Sequence, residues 1–159
     1  MKKSKILIIT LIILLIVSGC GKSKKIIKED IKTTFFTCSG VQKNDSSNAD
    51  MNIKYTFEND KITKAKVEIT FKDFNINNLP EVWSSIKEQI TEQNKPVEDL
   101  GYKRTVKSDD EKYTYTIIIE IDYRKITKEI MKKYDVSDFS DKTSKEVKKA
   151  TVNENITCK

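Results

Sequence analysis

The stretch "KYTYTIIIEIDY" at residues 112–123 carries the clearest structural pattern in the chain. Aromatic and aliphatic side chains recur at every second position and share one side: Tyr113, Tyr115, Ile117, Ile119, Ile121 and Tyr123. Apart from Ile118, the other side is polar: Thr114, Thr116, Glu120 and Asp122. This alternation is typical of a strand with one buried face and one wet face, as in antiparallel sheets.

Three further stretches predict the rest of an antiparallel sheet. "MNIKYTFEND" (51–60) and "ITKAKVEITFKDF" (62–74) show the same alternation, and "NDK" between them is a turn signal at hairpin spacing. A weaker strand, "YKRTVKS" (102–108), is expected to pair with 112–123 across the polar turn "SDDEK".

Helix signals fall between and after these strands. "NNLPEVWSSIKEQITEQNK" (77–95) begins with an Asn cap candidate and has Trp83, Ile86 and Ile90 along one side. "TKEIMKKY" and "TSKEVKKATVNEN" predict two short helices, capped by Thr127 and by Thr143 or Ser144. The expected fold is an α+β two-layer sandwich, an antiparallel β-sheet with helices packed on one face. Trp83, Ile86 and Ile90 would then cover the sheet face that carries Tyr55, Val67 and Ile119.

The N-terminus has the layout of an export signal. Lys2, Lys3 and Lys5 precede the apolar run 6–17, which is shorter than the roughly 20 residues of a bilayer-spanning helix. The ending Val17-Ser18-Gly19-Cys20 is similar to a bacterial lipobox. That resemblance implies a diacylglyceryl group on the Cys20 thiol and cleavage just before it. The alternative is an uncleaved anchor.

The expected organisation is a lipoprotein signal peptide at 1–19, a lipidated Cys20 with a charged tether at 20–32, and one domain at 33–159. Ile26, Ile27 and Ile31 leave open that the tether begins a helix or docks on the domain. Because residues 1–19 contain three lysines and no acidic residue, cleavage lowers the formal charge from +6 to +3. A net charge as small as +3 does not favour nucleic acid as a partner.

Two cysteines remain once Cys20 is acylated. An exported chain meets oxidising conditions, and Cys38 and Cys158 are then the one possible pair. We expect a structural disulfide, with two free thiols or a redox pair as the alternatives. Redox chemistry is disfavoured because neither cysteine lies in a Cys-X-X-Cys motif.

The order of these features resembles a known family. "FFTCSG" follows the lipobox and tether, then come "IKYTFENDKITKAKVEITF", a helix, "YTYTIIIEIDYRKI" and closing helices. In this the chain is similar to the YehR-like family of small bacterial lipoproteins, over residues 33–158. The resemblance implies an α+β fold and membrane anchoring. It implies no reaction and no functional residues, because the family is a domain of unknown function.

The residues for most catalytic chemistry are missing from the sequence. There is no histidine, which removes His-dependent nucleophilic catalysis and His-based zinc sites. The glycines do not form a phosphate-binding loop. Asp109, Asp110 and Glu111 predict a hairpin turn, with a weak cation site as the alternative. We expect no enzyme activity, no metal and no cofactor.

Three other features could contribute to binding. The segment "KNDSSNAD" (43–50) is expected to be a polar connecting loop beside Cys38, with a binding loop as the alternative. A charged strand face is expected to keep the wet side of the sheet solvated, with binding of an acidic partner as the alternative; its lysines are Lys54, Lys64, Lys66 and Lys72. Four tyrosines are expected to pack in the core rather than form a ligand platform: Tyr55, Tyr113, Tyr115 and Tyr123.

The sequence therefore predicts a lipid-anchored protein on the extracytoplasmic face of the cell membrane. Its expected role is a non-enzymatic binding or accessory module whose partner is a cell-surface protein or a small molecule. A small-molecule or metal receptor is the second hypothesis, and an enzyme that uses carboxylates, Lys or Tyr alone is the third.

Overall fold

A computed structural model describes residues 31–43 and 45–159. The described chain has a mixed α+β architecture built on one antiparallel sheet, in the spatial order β4-β5-β6-β3-β2-β1-β7. Its strands are β1 (Thr33–Lys43), β2 (Asn48–Glu58), β3 (Lys61–Lys72), β4 (Val97–Asp99), β5 (Tyr102–Asp109), β6 (Thr114–Asp122) and β7 (Ile156–Cys158). The predicted α+β class is confirmed at this level.

The centre of the sheet is the predicted hairpin of β2 and β3. Asn59 and Asp60 form its two-residue turn with φ angles of 50° and 63°. Positive φ at both positions gives the tight turn that matches the twist of the flanking strands, and Asn and Asp tolerate it better than most residues. Beside the turn, the register of β2 against β3 shifts between Thr56 and Phe57. The "NDK" prediction is therefore confirmed.

The second predicted hairpin is also present. Strands β5 and β6 pair over their whole lengths, from Tyr102 opposite Ile121 to Asp109 opposite Thr114. Strand β6 then pairs with β3, with Val67 opposite Ile119. The alternation in "KYTYTIIIEIDY" matches the burial of β6, where Tyr115, Ile117 and Ile121 are buried.

Three helices are present in the described chain: α1 (Leu79–Gln93), α2 (Lys128–Lys133) and α3 (Ser144–Thr151). Thr127 caps α2 by accepting a hydrogen bond from the Ile130 N–H. Thr143 caps α3 in a reciprocal capping box with Glu146. Asn78 precedes α1 in a left-handed conformation, and its side chain forms no cap hydrogen bond. The two Thr caps are thus confirmed by geometry.

The core consists of two clusters on the same side of the sheet, which we call the core face. Trp83 of α1 packs with Tyr115 and Ile117, and Ile86, Ile90 and Ile119 border them. The second cluster joins α2 and α3 to the hairpin of β2 and β3: Tyr55, Phe57, Ile62, Met131 and Val147. Ile119 thus borders the cluster of Trp83, whereas the Tyr55 hydroxyl forms a hydrogen bond of 3.0 Å with the Thr151 hydroxyl of α3.

Strands β1 and β7 have no counterpart in the sequence prediction. Cys38 of β1 lies directly opposite both Ile53 of β2 and Cys158 of β7. The Cα atoms of the two cysteines are 3.9 Å apart and their sulfur atoms lie at bonding distance. The predicted pairing of Cys38 with Cys158 therefore agrees with the geometry. It joins the strands that are first and last in chain order, which are neighbours at one edge of the sheet.

Close packing of β7 on β1 depends on Gly40. Strand β1 passes under the Asn153–Ile156 turn there, and a Cβ at residue 40 would overlap the Asn155 carbonyl oxygen. Glycine is therefore needed for backbone proximity at this position.

The N-terminal predictions fall mostly outside the described residues. The signal peptide, the lipobox, Cys20 and the tether up to residue 30 lie there. Of the tether's last residues, Ile31 is exposed and Lys32 exchanges backbone and side-chain hydrogen bonds with Asn59 at the turn between β2 and β3. The chain thus enters the domain at the turn end of the central hairpin.

Candidate functional site

The face of the sheet opposite the core face carries the candidate site, and we call it the lysine face. One row of directly opposite positions crosses five strands from β2 to β4: Lys54, Lys66, Glu120, Lys103 and Glu98. The next row places Thr56, Lys64 and Asp122 beside one another. Opposite charges in neighbouring strands stabilise a sheet, so most of this row is ordinary cross-strand pairing.

The exception in the row is Lys54 opposite Lys66. Like charges at directly opposite positions destabilise a sheet, because their Cβ atoms lie only about 5 Å apart. Lys54 directs its ammonium group toward the edge of the sheet, 4.6 Å from the ring centroid of Phe35. Lys66 has its carboxylate contact with Glu68 at 3.9 Å, and both side chains are well exposed. This pairing concentrates positive charge at the centre of the face.

A groove of about 440 Å³ runs along the lysine face between these rows. Five of its lining residues carry ammonium groups: Lys54, Lys64, Lys66, Lys103 and Lys125. Its acidic lining residues are Glu98, Asp99, Glu120 and Asp122. The volume falls within the range of small-molecule sites in proteins, although the groove is open to solvent.

Most of the groove's acidic residues are engaged by other protein groups. The Arg124 guanidinium contacts Asp122 through Nε at 3.1 Å and reaches Glu58 at the same distance. Burial acts to raise the pKa of Asp122, but the hydrogen bonds from Arg124 outweigh it and the pKa is lowered. Glu98 pairs with Lys103 at 3.1 Å.

Asp99 is also engaged, on the side away from the groove's lysines. It accepts a hydrogen bond from the Leu100 N–H and another from Lys133 at 3.2 Å. These bonds lower its pKa. The Tyr134 hydroxyl contacts the same carboxylate oxygen.

The groove therefore has a cationic excess that the described residues do not neutralise. Within the described chain, Lys54, Lys64 and Lys125 form no ion pair within 4 Å. Glu120 is the lining acid that likewise has no ion pair among those residues. Three unpaired ammonium groups against one carboxylate favour a ligand that carries phosphate or carboxylate groups.

Gly101 shapes one end of the groove. It lies in the two-residue turn between β4 and β5, with a φ angle of +75°. Its carbonyl oxygen accepts a hydrogen bond from the Asp122 N–H, and a Cβ at this position would collide with the Ile126 backbone. The turn thus holds Asp122 and the end of β6 in place beside Lys125.

The acidic cluster at residues 109–111 forms the predicted hairpin turn. Asp109 accepts hydrogen bonds from the backbone N–H groups of Glu111 and Lys112. Asp110 binds Lys87 of α1 at 2.8 Å and accepts a hydrogen bond from the Trp83 indole at 2.9 Å. The bonds from Lys87 and Trp83 lower the pKa of Asp110. This carboxylate therefore fastens α1 to the hairpin.

The polar segment 43–50 is shorter as a loop than the sequence predicted. Lys43 ends β1, and residues 48–50 already belong to β2. The error has a simple cause: Asn48 and Asp50 are outward positions that alternate with buried Ala49. The remaining loop is held by Asn75, whose N–H and side chain donate to the carbonyl oxygens of Ser46 and Asp45. It does not lie beside Cys38, which is opposite Ile53.

The strand tyrosines pack in the core as predicted. Tyr55, Tyr115 and Tyr123 are buried, and their hydroxyl groups contact Thr151, Thr91 and the Ser137 carbonyl. Burial raises the pKa of Tyr55 and of Tyr123. Tyr113 lies just before β6 and packs edge-to-face on Trp83. The cavity that tyrosines line on the core face measures about 190 Å³, below the usual range of ligand sites.

Two absences concern the described residues alone. In that part of the chain no group of three or more Asp, Glu, Cys or His side chains is placed to hold a metal ion. None of its helices has the length and apolar character needed to cross a bilayer.

Sequence reasoning identified the groove only in part. Lys54, Lys64 and Lys66 line it, whereas Lys72 pairs with Asp50 at 2.6 Å near the other end of the hairpin. Lys103 and Lys125 were missed. The predicted pairing of 102–108 with 112–123 could have located Lys103. In the register of that pairing, Lys103 lies opposite Glu120 on the wet face. No sequence signal locates Lys125.

Comparisons with known proteins add no assignment. No protein-family model, no curated protein and no solved structure matches the chain. The similarity to the YehR-like family stays a prediction. The fold and site define an α+β domain whose antiparallel sheet has one apolar face and one lysine-rich face.

Proposed function

We propose that this protein is a lipid-anchored, non-enzymatic module on the extracytoplasmic face of the membrane, which binds an anionic ligand in the groove of the lysine face. The observation that carries this proposal is the unneutralised positive charge of Lys54, Lys64 and Lys125, in a groove where three of the four acidic residues already form ion pairs. Clustered ammonium groups bind phosphate and carboxylate groups through charge-assisted hydrogen bonds. The anchor itself is proposed from the lipobox ending at Cys20.

The proposal includes a two-layer arrangement in which helices pack on the core face and leave the lysine face open. Its support lies in contacts of all three helices. Trp83 of α1 packs with Tyr115, Met131 of α2 belongs to the cluster of Phe57, and Thr151 of α3 bonds with Tyr55. All three contacted strand residues point to the core face.

A binding role fits the groove better than catalysis. General acid catalysis needs a carboxyl group that is protonated near the working pH, so its pKa must be raised. Asp99 and Asp122 have lowered pKa values because hydrogen-bond donors hold their charged forms. Both remain charged at neutral pH. The small tyrosine-lined cavity on the core face gives the receptor hypothesis less support than the groove gives to anion binding.

Titration with inorganic tripolyphosphate tests the ligand class. We expect the chain to bind it, and we expect the double variant Lys64→Gln/Lys66→Gln to bind about tenfold more weakly, because two ammonium groups at the groove are lost. Isothermal titration calorimetry at about 0.15 M salt, where the screening length is about 8 Å, measures both affinities.

Lys107→Gln is the matched control for this titration. Lys107 lies on the same face of β5, opposite Thr116, and is exposed outside the groove. It should leave the affinity within about twofold of the unsubstituted chain, since separated surface charges are screened. Absence of tripolyphosphate binding, or equal losses in both variants, would contradict the groove as the site.

Intact mass of the protein from its native membrane tests the anchor. We expect a chain that begins at residue 20 and carries a diacylglyceryl group on Cys20. Reduction should add the mass of two hydrogens, as expected from opening the bond between Cys38 and Cys158. An unmodified chain that still contains residues 1–19 would refute the anchor and the location.

A further inference from the structure

Exposed apolar side chains occur along β1, the strand with which the chain enters the domain. Three large ones lie on β1 or directly before it: Ile31, Phe35 and Val41, with 63%, 65% and 47% of their surfaces exposed. Phe35 and Val41 share the lysine face, because each lies an odd number of positions from buried Cys38. We call the set Ile31, Phe35 and Val41 the apolar strip. Phe35 and Val41 lie about 20 Å apart on this face, with Thr37 and Ser39 between them, so a partner that covers both must extend along the strand.

The charges around the strip suit an anionic partner. Strand β1 contains no acidic residue. The two acidic residues opposite it on the same face are both engaged, Asp50 with Lys72 at 2.6 Å and Glu58 with Arg124 at 3.1 Å. Lys54 lies opposite Thr37 and contacts the Phe35 ring, so positive charge and apolar surface are adjacent.

An aromatic and aliphatic strip bordered by lysines is the composition of a membrane-interface contact. Apolar side chains such as Phe insert at the boundary between headgroups and acyl chains, and nearby Lys and Arg side chains are attracted to an anionic leaflet. The groove is on this same face, so its unpaired ammonium groups would meet the headgroup phosphates.

From these observations we propose that the lysine face docks on the anionic phospholipid bilayer, with the apolar strip at the interface and headgroup phosphates in the groove. The inference rests on the proposed function and names its ligand. Residues 21–30 alone separate Cys20 from Ile31. A tether this short keeps the effective concentration of the bilayer high, so a weak intrinsic affinity is enough for docking.

Vesicle flotation of residues 20–159 carrying Cys20→Ser tests the docking without the lipid. Residues 31–159 form one compact unit that contains both core clusters, so the fold does not depend on the missing leader. We expect binding to phosphatidylcholine vesicles that contain phosphatidylglycerol, and little binding to phosphatidylcholine alone. Binding should weaken steeply as salt is added.

Substitutions in the strip should reduce the partition coefficient without unfolding the domain. We expect about a tenfold loss for Phe35→Ala and about a threefold loss for Val41→Ser, from the apolar surface that each removes. Val152→Ser is the matched control: Val152 is 45% exposed, lies at the end of α3, and should leave the partition coefficient unchanged. Lys54→Gln should reduce binding to the anionic vesicles by about fivefold.

Each other outcome overturns the inference in a recognisable way. Tripolyphosphate binding without vesicle binding would leave the proposed function standing and refute the membrane as its ligand, whereas loss of both would refute both. Binding of poly-glutamate but not of vesicles would indicate an acidic protein partner. A dimer in light scattering that Phe35→Ala dissociates would show that a second copy covers the strip. Equal losses for Val41→Ser and Val152→Ser would refute the apolar strip as part of the docking surface.

Discussion

Opening the Cys38–Cys158 bond should lower the free energy of unfolding by about 4–5 kcal/mol. The two residues are separated by 120 positions, and closing a loop of that length removes much of the conformational entropy of the unfolded chain. Single domains are stable by only about 5–15 kcal/mol in total. Loss of the bond would therefore remove a large share of the stability. Urea unfolding of residues 20–159 carrying Cys20→Ser, with and without a phosphine reductant, measures the difference.

The double variant Cys38→Ala/Cys158→Ala separates the bond from the reagent. It should unfold at the same urea concentration with and without reductant, close to the reduced parent. Cys38 is buried, so its substitution also removes a small amount of packing. A reductant effect below about 1 kcal/mol on the parent would show that the bond does not restrict the unfolded chain as expected.

The parts of the fold that sequence predicts are those decided by local patterns. Strands β2, β3 and β6 alternate between apolar and polar residues. The burial of side chains follows that alternation through most of β2 and β6 and at residues 64–66 of β3, whereas residues 67–72 of β3 are all half-buried. The turn at Asn59 and Asp60 and the cap at Thr143 are equally local, since each depends on residues within one turn of chain. Residues close together in the sequence are enough to predict these elements.

Strands β1 and β7 were missed because their evidence is not local. Strand β1 carries the doublet Phe35 and Phe36 and a glycine at residue 40, so its alternation is broken. Strand β7 has three residues and exists through its pairing with β1. Cys158 was correctly matched with Cys38, yet the sequence alone did not reveal that each lies within a strand at the same edge of the sheet.

The groove was predictable in its residue types and not in its charge balance. Alternation placed Lys54, Lys64 and Lys66 on the wet face. The engagement of Asp122 depends on Arg124, which follows the end of β6 and folds back on that carboxylate. Side-chain geometry of this kind is not encoded in periodicity. The contacts of these acidic side chains decide whether the lysine face is neutral or cationic.

Phe57→Ala should destabilise the domain by about 3–5 kcal/mol. Phe57 has no exposed surface, stacks on Phe36 with ring centroids 5.4 Å apart, and packs with Ile62 and Val147. Truncation removes the transfer free energy of the ring and leaves a cavity that the antiparallel pairing of β2 prevents from closing. Urea or thermal unfolding measures the change.

Phe35→Ala makes the matched comparison, because Phe35 belongs to the neighbouring strand and keeps 65% of its surface exposed. Its unfolding free energy should stay within about 0.5 kcal/mol of the parent, since little packing is lost at an exposed position. The two variants should therefore lose different properties. Phe57→Ala loses stability, whereas Phe35→Ala loses vesicle binding and keeps its fold. Comparable destabilisation by both substitutions would mean that Phe35 supports the core, and the apolar strip would then be structural rather than a docking surface.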